Sequence, residues 1–365
     1  MKNFSDLIIE TTLIGTGGGY GEGIIVHLGF SNWIVVDSCI NPFSGKSLSL
    51  EYLMERGVDL KNDVKLIVCT HWHNDHIQGI SQIVEKCENA VFATTYATDR
   101  KKFLQFVGLD CKKIKDNVAI SSTSELGKCL SILGKRKRPT VKKALQDRIL
   151  FNFANNKIKT KVISLSPSDF IVQEFDKEIS TLISTFGSSN KRIPYSSPNE
   201  KSVVLYIKIN DITILLGSDL EVSTNINKGW LSILNENQSI DSKASVFKIP
   251  HHGSKTAYHK KIWEELVESN AISKLSPYNR GKKLPNEEMI RKIKGHSQKL
   301  FITSLINSRT KAKKRDRNLE KAIFKFNKTL SEVRYSKGIV RCHRDLSSIE
   351  KPSWEIELID AAVQL

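Results

Sequence analysis

The sequence predicts an α/β domain, in which short β-branched strands and amphipathic helices alternate along a chain of 365 residues. Three observations carry that prediction. "GIIVHLG" and "NWIVVDSC" are β-branched runs bounded by glycine and polar residues. "VKLIVC" (64–69) is a short, continuously apolar run, as expected of a strand buried on both faces. It runs directly into "THWHNDH", after which Ile77, Ile80, Val84 and Cys87 recur at helical spacing. The histidines therefore sit on a strand-to-helix turn.

Taken in order, the first 70 residues read as strands joined by turns and one helix. That helix is "SLSLEYLMERG", closed by Gly57 at the C′ position. Asn74 or Asp75 is placed to cap the helix after the histidines. Residues from about 97 to 160 change character and read as a helical insertion. "TDRKKFLQFVG" and "STSELGKCLSILGKRKR" are helical, the second with a Ser122-to-Glu125 capping box and with Leu126, Leu130 and Leu133 on one face. Strands return with "KTKVISLS", "SVVLYIKI", "ITILLGSD" and "ASVFKIP", two of them joined by a hairpin at Asn210-Asp211. A basic helical stretch follows, then "KLFITS", and "GIVRCHRD" and "SWEIELID" close the chain. No repeat, low-complexity tract or Pro-rich linker divides it, so residues 1–365 are expected to form a single domain.

Composition narrows the class. The apolar fraction of 39% and charged fraction of 26% are those of a globular protein, not a disordered one. No apolar run reaches the roughly 18 residues that span a bilayer. The opening "MKNFSDLIIETTLIG" lacks the apolar centre of a signal peptide. The six cysteines form no CxxC pair, which fits a reducing cytoplasm. Fifty-six Lys and Arg against 39 Asp and Glu give a net charge of +17, which favours anionic partners, nucleic acid before membrane surface.

The chemistry is concentrated in residues 71–76, His-x-His-x-Asp-His. At the end of an extended segment, side chains at i and i+2 point the same way, so His71 and His73 can share one metal. Asp75 and His76 open the helix and supply a second nitrogen and oxygen pair nearby. Two adjacent N/O sites suit Zn²⁺, or Mn²⁺ where oxygen ligands and water dominate. The glycine-rich "GTGGGYGEG" (15–23) has neither GK[ST] nor GxGxxG, so it is read as turn geometry. Cys69 shares a side with His71 and is read as a buried strand cysteine. His27, His259, His296 and His343 are read as surface or core positions.

"THWHNDH" resembles the signature of the metallo-β-lactamase superfamily, which implies a four-layer αββα sandwich with one or two divalent metal ions at one edge. Asp37 in "WIVVDSC" matches the aspartate that supports the metal loop. Asp219 in "ILLGSD" matches the aspartate that bridges both metals, and "IPHHGS" (249–254) matches the late histidine motif. "NEKSVVLYIKINDITILLGSDLE" with "KIPHHGSK" looks most like the hydrolase domain of ComEC-type DNA-uptake proteins, here free-standing and without the membrane channel. The likeness runs from Leu13 to the C-terminus and is weakest over the helical insertion.

One family ligand is missing. No histidine lies between His76 and His251, so the first metal lacks its usual third histidine. The ComEC-like branch also tends to lack it and carries an Asn/Ser motif, which Asn199 and Ser202 match. The resemblance then implies His71, His73 and Asp219 at the first metal. At the second it implies Asp75, His76, Asp219 and either His251 or His252, the other histidine supporting it or contacting substrate. Ser254, Lys255, Asn199 and Ser202 are candidate substrate or phosphate contacts.

Such a centre hydrolyses by a metal-activated water, with Asp75 also orienting the nucleophile and His71 and His73 holding the metal. With the ComEC likeness, the basic runs "KRKR" (135–138) with Lys142 and Lys143, "RGKK" (280–283) and "KAKKRDR" (311–317) point to a nuclease or phosphodiesterase acting on DNA or RNA. Two alternatives stand beside it. One is a hydrolase of a small ester, lactone or cyclic nucleotide. The other is a partner-gated or non-catalytic subunit of a larger assembly, such as a defence system.

Overall fold

The structure is a computed structural model that describes residues 6–19, 21–115, 122–137, 140–186, 198–279, 283–306, 316–326, 335–347 and 353–365. The chain opens with β1 (Ile8–Gly15), β2 (Glu22–His27), β3 (Trp33–Val36), α1 (Leu48–Glu55) and β4 (Val64–Cys69). Next come α2 (Asn74–Ile77), α3 (Ile80–Lys86), β5 (Val91–Thr94), α4 (Arg100–Lys115), α5 (Ser122–Lys135), β6 (Val141–Lys143), β7 (Arg148–Ala154) and β8 (Lys159–Ser164). The middle of the chain holds α6 (Asp169–Phe186), β9 (Leu205–Ile209), β10 (Ile212–Leu216), α7 (Gly229–Glu236) and β11 (Ala244–Lys248). It ends with β12 (Val267–Leu275), α8 (Glu287–Lys294), β13 (Lys299–Ile302), α9 (Arg317–Phe326), β14 (Gly338–Asp345), β15 (Glu355–Asp360) and β16 (Val363–Gln364).

These strands form two sheets with matching logic. The first runs β15-β14-β1-β2-β3-β4-β5-β6 and the second β16-β13-β12-β11-β10-β9-β8-β7. In each sheet antiparallel hairpins lead into a parallel run, β3 to β6 in one and β10 to β13 in the other. The two-residue period of a strand then decides which side chains meet. In β4, Leu66 and Val68 face the inter-sheet core, where they join Ile207, Ile214, Leu216 and Val246 of the second sheet. Ile67 and Cys69 face outward, into a cluster with Leu53, Ile83, Phe103, Leu126 and Phe175 from the helices. The outer face of the second sheet, with Tyr206, Leu215 and Phe247, packs against Trp230 of α7 and Met289 of α8. Helix, sheet, sheet and helix give the four-layer αββα sandwich expected from the sequence.

Local signals read from the sequence recur here. Ser47 caps α1 by accepting from Leu50 N, and Gly57 follows its C-cap at φ 72°. The hairpin of β9 and β10 turns at Asn210, itself at φ 51°. Leu126 and Leu133 of α5 are buried on one face. Its Glu125, however, accepts from the backbone N and hydroxyl of Ser81, so that carboxylate ties α5 to α3. The stretch read as a helical insertion is helical only to Lys135, because β6 and β7 each extend a sheet edge before β8. After "ASVFKIP" the basic stretch holds a strand, β12, before its helix α8. Polar Glu268, Ser269 and Asn270 interrupt the strand period there, where the pairing with β11 shifts register, and Ile272, Ser273 and Lys274 then pair with β11 and β13 on both sides. Among the described residues no helix is long and apolar enough to cross a membrane.

A candidate metal centre

The site is assembled by strand ends. β3 and β4 are parallel neighbours, so Asp37 after β3 and Thr70-His71 after β4 leave the first sheet at the same edge. β10 and β11 are likewise parallel, so Asp219 and His251-His252 leave the second sheet together. Polar groups of an α/β sheet converge at such carboxyl ends because the loops there are free of the ladder. A hydrogen bond from Val203 N to Thr70 O (3.1 Å) ties the two edges to each other.

Alternation orders the histidine turn. Trp72 points away from the site and is buried against Phe175 and Phe103, at ring distances of 5.6 and 6.1 Å. His71 and His73 consequently face the other way, with His71 Nε2 3.2 Å from His73 Nδ1. His73 also occupies the N-cap of α2 but makes no side-chain capping bond. Neither Asn74 nor Asp75 caps that helix, because both lie inside it and the Asp75 carboxylate is turned to His252 Nε2 at 3.4 Å.

Asp219 Oδ2 is the common point. It lies 3.3 Å from His76 Nε2, 3.7 Å from His252 Nε2 and 3.9 Å from His71 Nε2. Asp75, His76, Asp219 and His252 each offer a ligand atom within 4.8 Å of the others, a set that could hold a metal ion. Nε2 of His76 and of His252 is buried and makes no hydrogen bond. Two buried imidazole nitrogens without a hydrogen bond, each facing the carboxylates of the set, are what a cation would satisfy, so the residues fit a metal.

Asp37 stands behind this set. Its Oδ1 accepts from Thr70 N, and Oδ2 accepts from Thr70 Oγ1 and faces His76 Nδ1 at 2.9 Å. A carboxylate on one imidazole nitrogen fixes the ring and directs the other nitrogen toward the site. The backbone is bent to the same end, since Asp37, Ser218, His251 and His252 all have positive φ, between 45° and 59°. Non-glycine residues adopt that conformation at a local cost, which is concentrated at functional sites.

Electrostatics point the same way. Burial alone would raise the Asp219 carboxyl, but the neighbouring His76, His252 and Lys248 charges hold it well below the usual range. Burial would lower His76 and His252, yet the surrounding carboxylates, Asp219 first, raise both. Burial and the His76 charge push His71 well below its ordinary value, which keeps it neutral and fit to ligate. The carboxylates thus draw positive charge onto two imidazoles, and a bound cation would replace it.

His251 stands apart from His252. Its Nδ1 pairs with Glu221 Oε1 at 2.8 Å, and Asn199 Nδ2 lies 3.4 Å from the same Glu221 oxygen. A cavity of about 550 Å³ opens here, lined by Gly19, His73, Asn74, Asp75, Asn199, Asp219, His251, His252, Tyr278 and Leu284. Asn199 therefore reaches the cavity, whereas Ser202 is buried behind it. Ser254 caps the following turn by accepting from Thr256 N, and Lys255 is exposed; neither lines the cavity. Cys69 is fully buried in the outer core. In the glycine-rich stretch, Gly21 lies against the Asp75 carbonyl, where a Cβ would come within 2.2 Å of the oxygen. Only glycine permits that approach.

Most of the basic runs lie outside the described residues. Of the first, Arg136 donates to the carbonyls of Ala90 and Cys87, at 2.9 and 3.0 Å, and to that of Val84. Lys142 donates to Leu150 O, and Lys143 to Thr98 Oγ1. Two residues that the sequence reading missed are Glu22 and Lys248, a buried ion pair next to Asp219. Glu22 hides within the glycine-rich turn. Lys248 leaves a clearer signal, because a lysine in the apolar strand "ASVFK" needs a buried partner.

The family model described as "Metallo-beta-lactamase superfamily" matches residues 10–98. Among solved structures, the metallo-beta-lactamase fold protein YhfI from Bacillus subtilis is similar at 12% identity and a TM-score of 0.31, over 66% of this chain and 70% of that one. A metallo-beta-lactamase from Pontibacter korlensis is similar at 16% identity and a TM-score of 0.27, over 61% and 73%. No curated protein matches the chain.

Proposed function

We propose that this chain of metallo-β-lactamase fold is a metal-dependent hydrolase that cleaves phosphodiester bonds of DNA or RNA. The observation that carries the reading is the convergence of buried imidazole and carboxylate ligands on Asp219 Oδ2 at the floor of an open cavity. His71, His73 and Asp219 would hold one Zn²⁺ or Mn²⁺ ion, and Asp75, His76, Asp219 and His252 a second. Such a pair supplies an acidified water and neutralises negative charge on the substrate's oxygens.

The chain's own groups do the rest. Burial would raise Asp75, but His252 and His76 hold it well below the usual carboxylate range, so it is ionised and available to ligate a cation and to orient an attacking water by accepting its hydrogen bond. His251, steadied at Nδ1 by Glu221, faces the cavity with Asn199 and is placed to contact substrate. Among the described residues Leu284 is the one aliphatic side chain in the lining, and the polar groups beside it suit a polar substrate. A phosphate backbone suits both that lining and the net charge of +17. Three carboxylates, Asp75, Asp219 and Glu221, would repel phosphate until cations are bound.

The cavity volume of about 550 Å³ favours a second reading, a hydrolase of a small ester, lactone or cyclic nucleotide. One experiment separates the two. Metal content is measured, and cleavage of single- and double-stranded DNA and RNA is assayed at low salt in Mn²⁺, Mg²⁺ and Zn²⁺, for wild type and Asp75→Ala. Metal-dependent cleavage that falls with salt and vanishes in Asp75→Ala is the expected result. Retained cleavage in that variant removes the assigned centre, and salt-insensitive turnover of small esters alone establishes the second reading.

A further inference from the structure

Glu22 and Lys248 are a fully buried charged pair to which the metal reading gives no role. Lys248 Nζ pairs with Glu22 Oε1, donates to Ser218 O at 3.0 Å and lies 3.8 Å from Asp219 Oδ1. Glu22 Oε2 accepts from Ser276 Oγ and lies 3.8 Å from His252 Nδ1, and Oε1 lies 3.9 Å from His76 Nδ1. His252 Nδ1 is itself 3.1 Å from Ser276 O. One pair thus borders three of the four residues in the tight ligand set.

Stability does not explain it. Desolvating two charges offsets most of their attraction, and well-packed apolar side chains would serve the sandwich as well. The geometry is asymmetric in an informative way. Asp219 turns Oδ2 to His71, His76 and His252, while Oδ1 faces Lys248. Glu22 and Ser276 sit on the Nδ1 side of His252, opposite the nitrogen that faces Asp75 and Asp219.

We propose that Glu22 and Lys248 are positioning residues of the cation centre. Lys248, anchored on Ser218 O and Glu22, places its charge on the Oδ1 side of Asp219, and Glu22 with Ser276 sets the His252 ring. Lys248 also offsets one of the three carboxylates Glu22, Asp75 and Asp219. The inference rests on the metal reading above.

The test compares wild type, Glu22→Gln, Lys248→Met and the double variant Glu22→Gln/Lys248→Met. Thermal unfolding is measured without metal, Zn²⁺ and Mn²⁺ affinity by titration against a chelator, and the ligand field from the visible spectrum of the Co²⁺ form. Each single variant leaves a buried charge unpaired and should melt lower. The double variant removes both charges and should melt close to wild type, yet bind the cation roughly 10- to 100-fold more weakly, with shifted Co²⁺ bands. A double variant that binds as tightly as wild type with an unchanged Co²⁺ spectrum overturns the proposal, as does one that fails to fold, since the pair is then purely structural. Wild type that binds no cation overturns the metal reading itself, a result distinguishable from the others because they require wild type to bind.

Discussion

Thr70 holds both carboxylate oxygens of Asp37, Oδ1 through its backbone N at 2.8 Å and Oδ2 through its hydroxyl at 2.6 Å. Thr70 immediately precedes His71, so these two bonds fix the start of the histidine turn relative to β3. The same Oδ2 then meets His76 Nδ1 at 2.9 Å, which fixes the end of the turn. One buried side chain spans the whole motif.

Asp37→Asn keeps the size of that side chain but weakens its hold on His76. Cation affinity is expected to fall roughly 10- to 100-fold. Calorimetric titration with Zn²⁺ checks this, and an unchanged affinity would show that Asp37 does not act on the ligand set.

Cation binding is expected to release protons. His76 and His252 are raised above their ordinary values by Asp219 and its neighbours, against the opposing effect of burial. In the cation-free protein a histidine with a raised pKa stabilises the fold fully below its unfolded value of 6.5, and that stability is lost as pH rises through the folded value. A bound cation takes over the lost charge. The gap in melting temperature between metal-loaded and chelator-treated protein should therefore widen upward from about pH 6.5. A gap that narrows over that range contradicts the assignment.

His27 sets an opposite dependence on the acid side. It is buried against Trp33, with ring centroids 4.4 Å apart, and burial lowers it from 6.5 to about 4. A lowered histidine contributes stability that is complete above 6.5 and is lost as pH falls through the folded value. Between pH 6.5 and 4 the folded state should lose on the order of 3 kcal/mol through this group. His27→Phe keeps the ring stack and removes the titration. Denaturant unfolding of both proteins across this range should show the variant gaining on wild type, and parallel curves would refute the assignment.

Arg136 belongs to a basic run but serves as a clamp. Its guanidinium bonds three carbonyls at the end of α3 and the loop leading to β5. Arg136→Ala should destabilise the protein by roughly 1–3 kcal/mol. Nucleic-acid affinity and its salt slope should stay as in wild type, whereas a phosphate contact would lower the slope by about one. Chemical denaturation and binding at two salt concentrations separate these outcomes.

The histidine turn was legible because alternation fixes the faces of His71, Trp72 and His73 whatever the rest of the chain does. Gly57 and the Asn210 hairpin were legible for the same local reason. β12 was not, because polar Glu268, Ser269 and Asn270 break its period at a register shift with β11, before the residues that pair on both sides. The partner of Lys248 was also hidden: its pairing with Glu22 exists only once β2 and β11, from different sheets, are brought together. Asn74 and Asp75 misled as caps, since the carboxylate that could have capped α2 is turned to His252 instead.

The division of the ligands between two sheets also sets a timetable for synthesis. Residues 10–98 contain the whole histidine turn, but Asp219 and His252 are translated far later and must reach the opposite sheet edge. A nascent chain holds His71 and His76 long before Asp219, the acid they face. Ion capture is therefore a late event in the life of the polypeptide, and a product truncated before Asp219 would keep the motif while losing the centre.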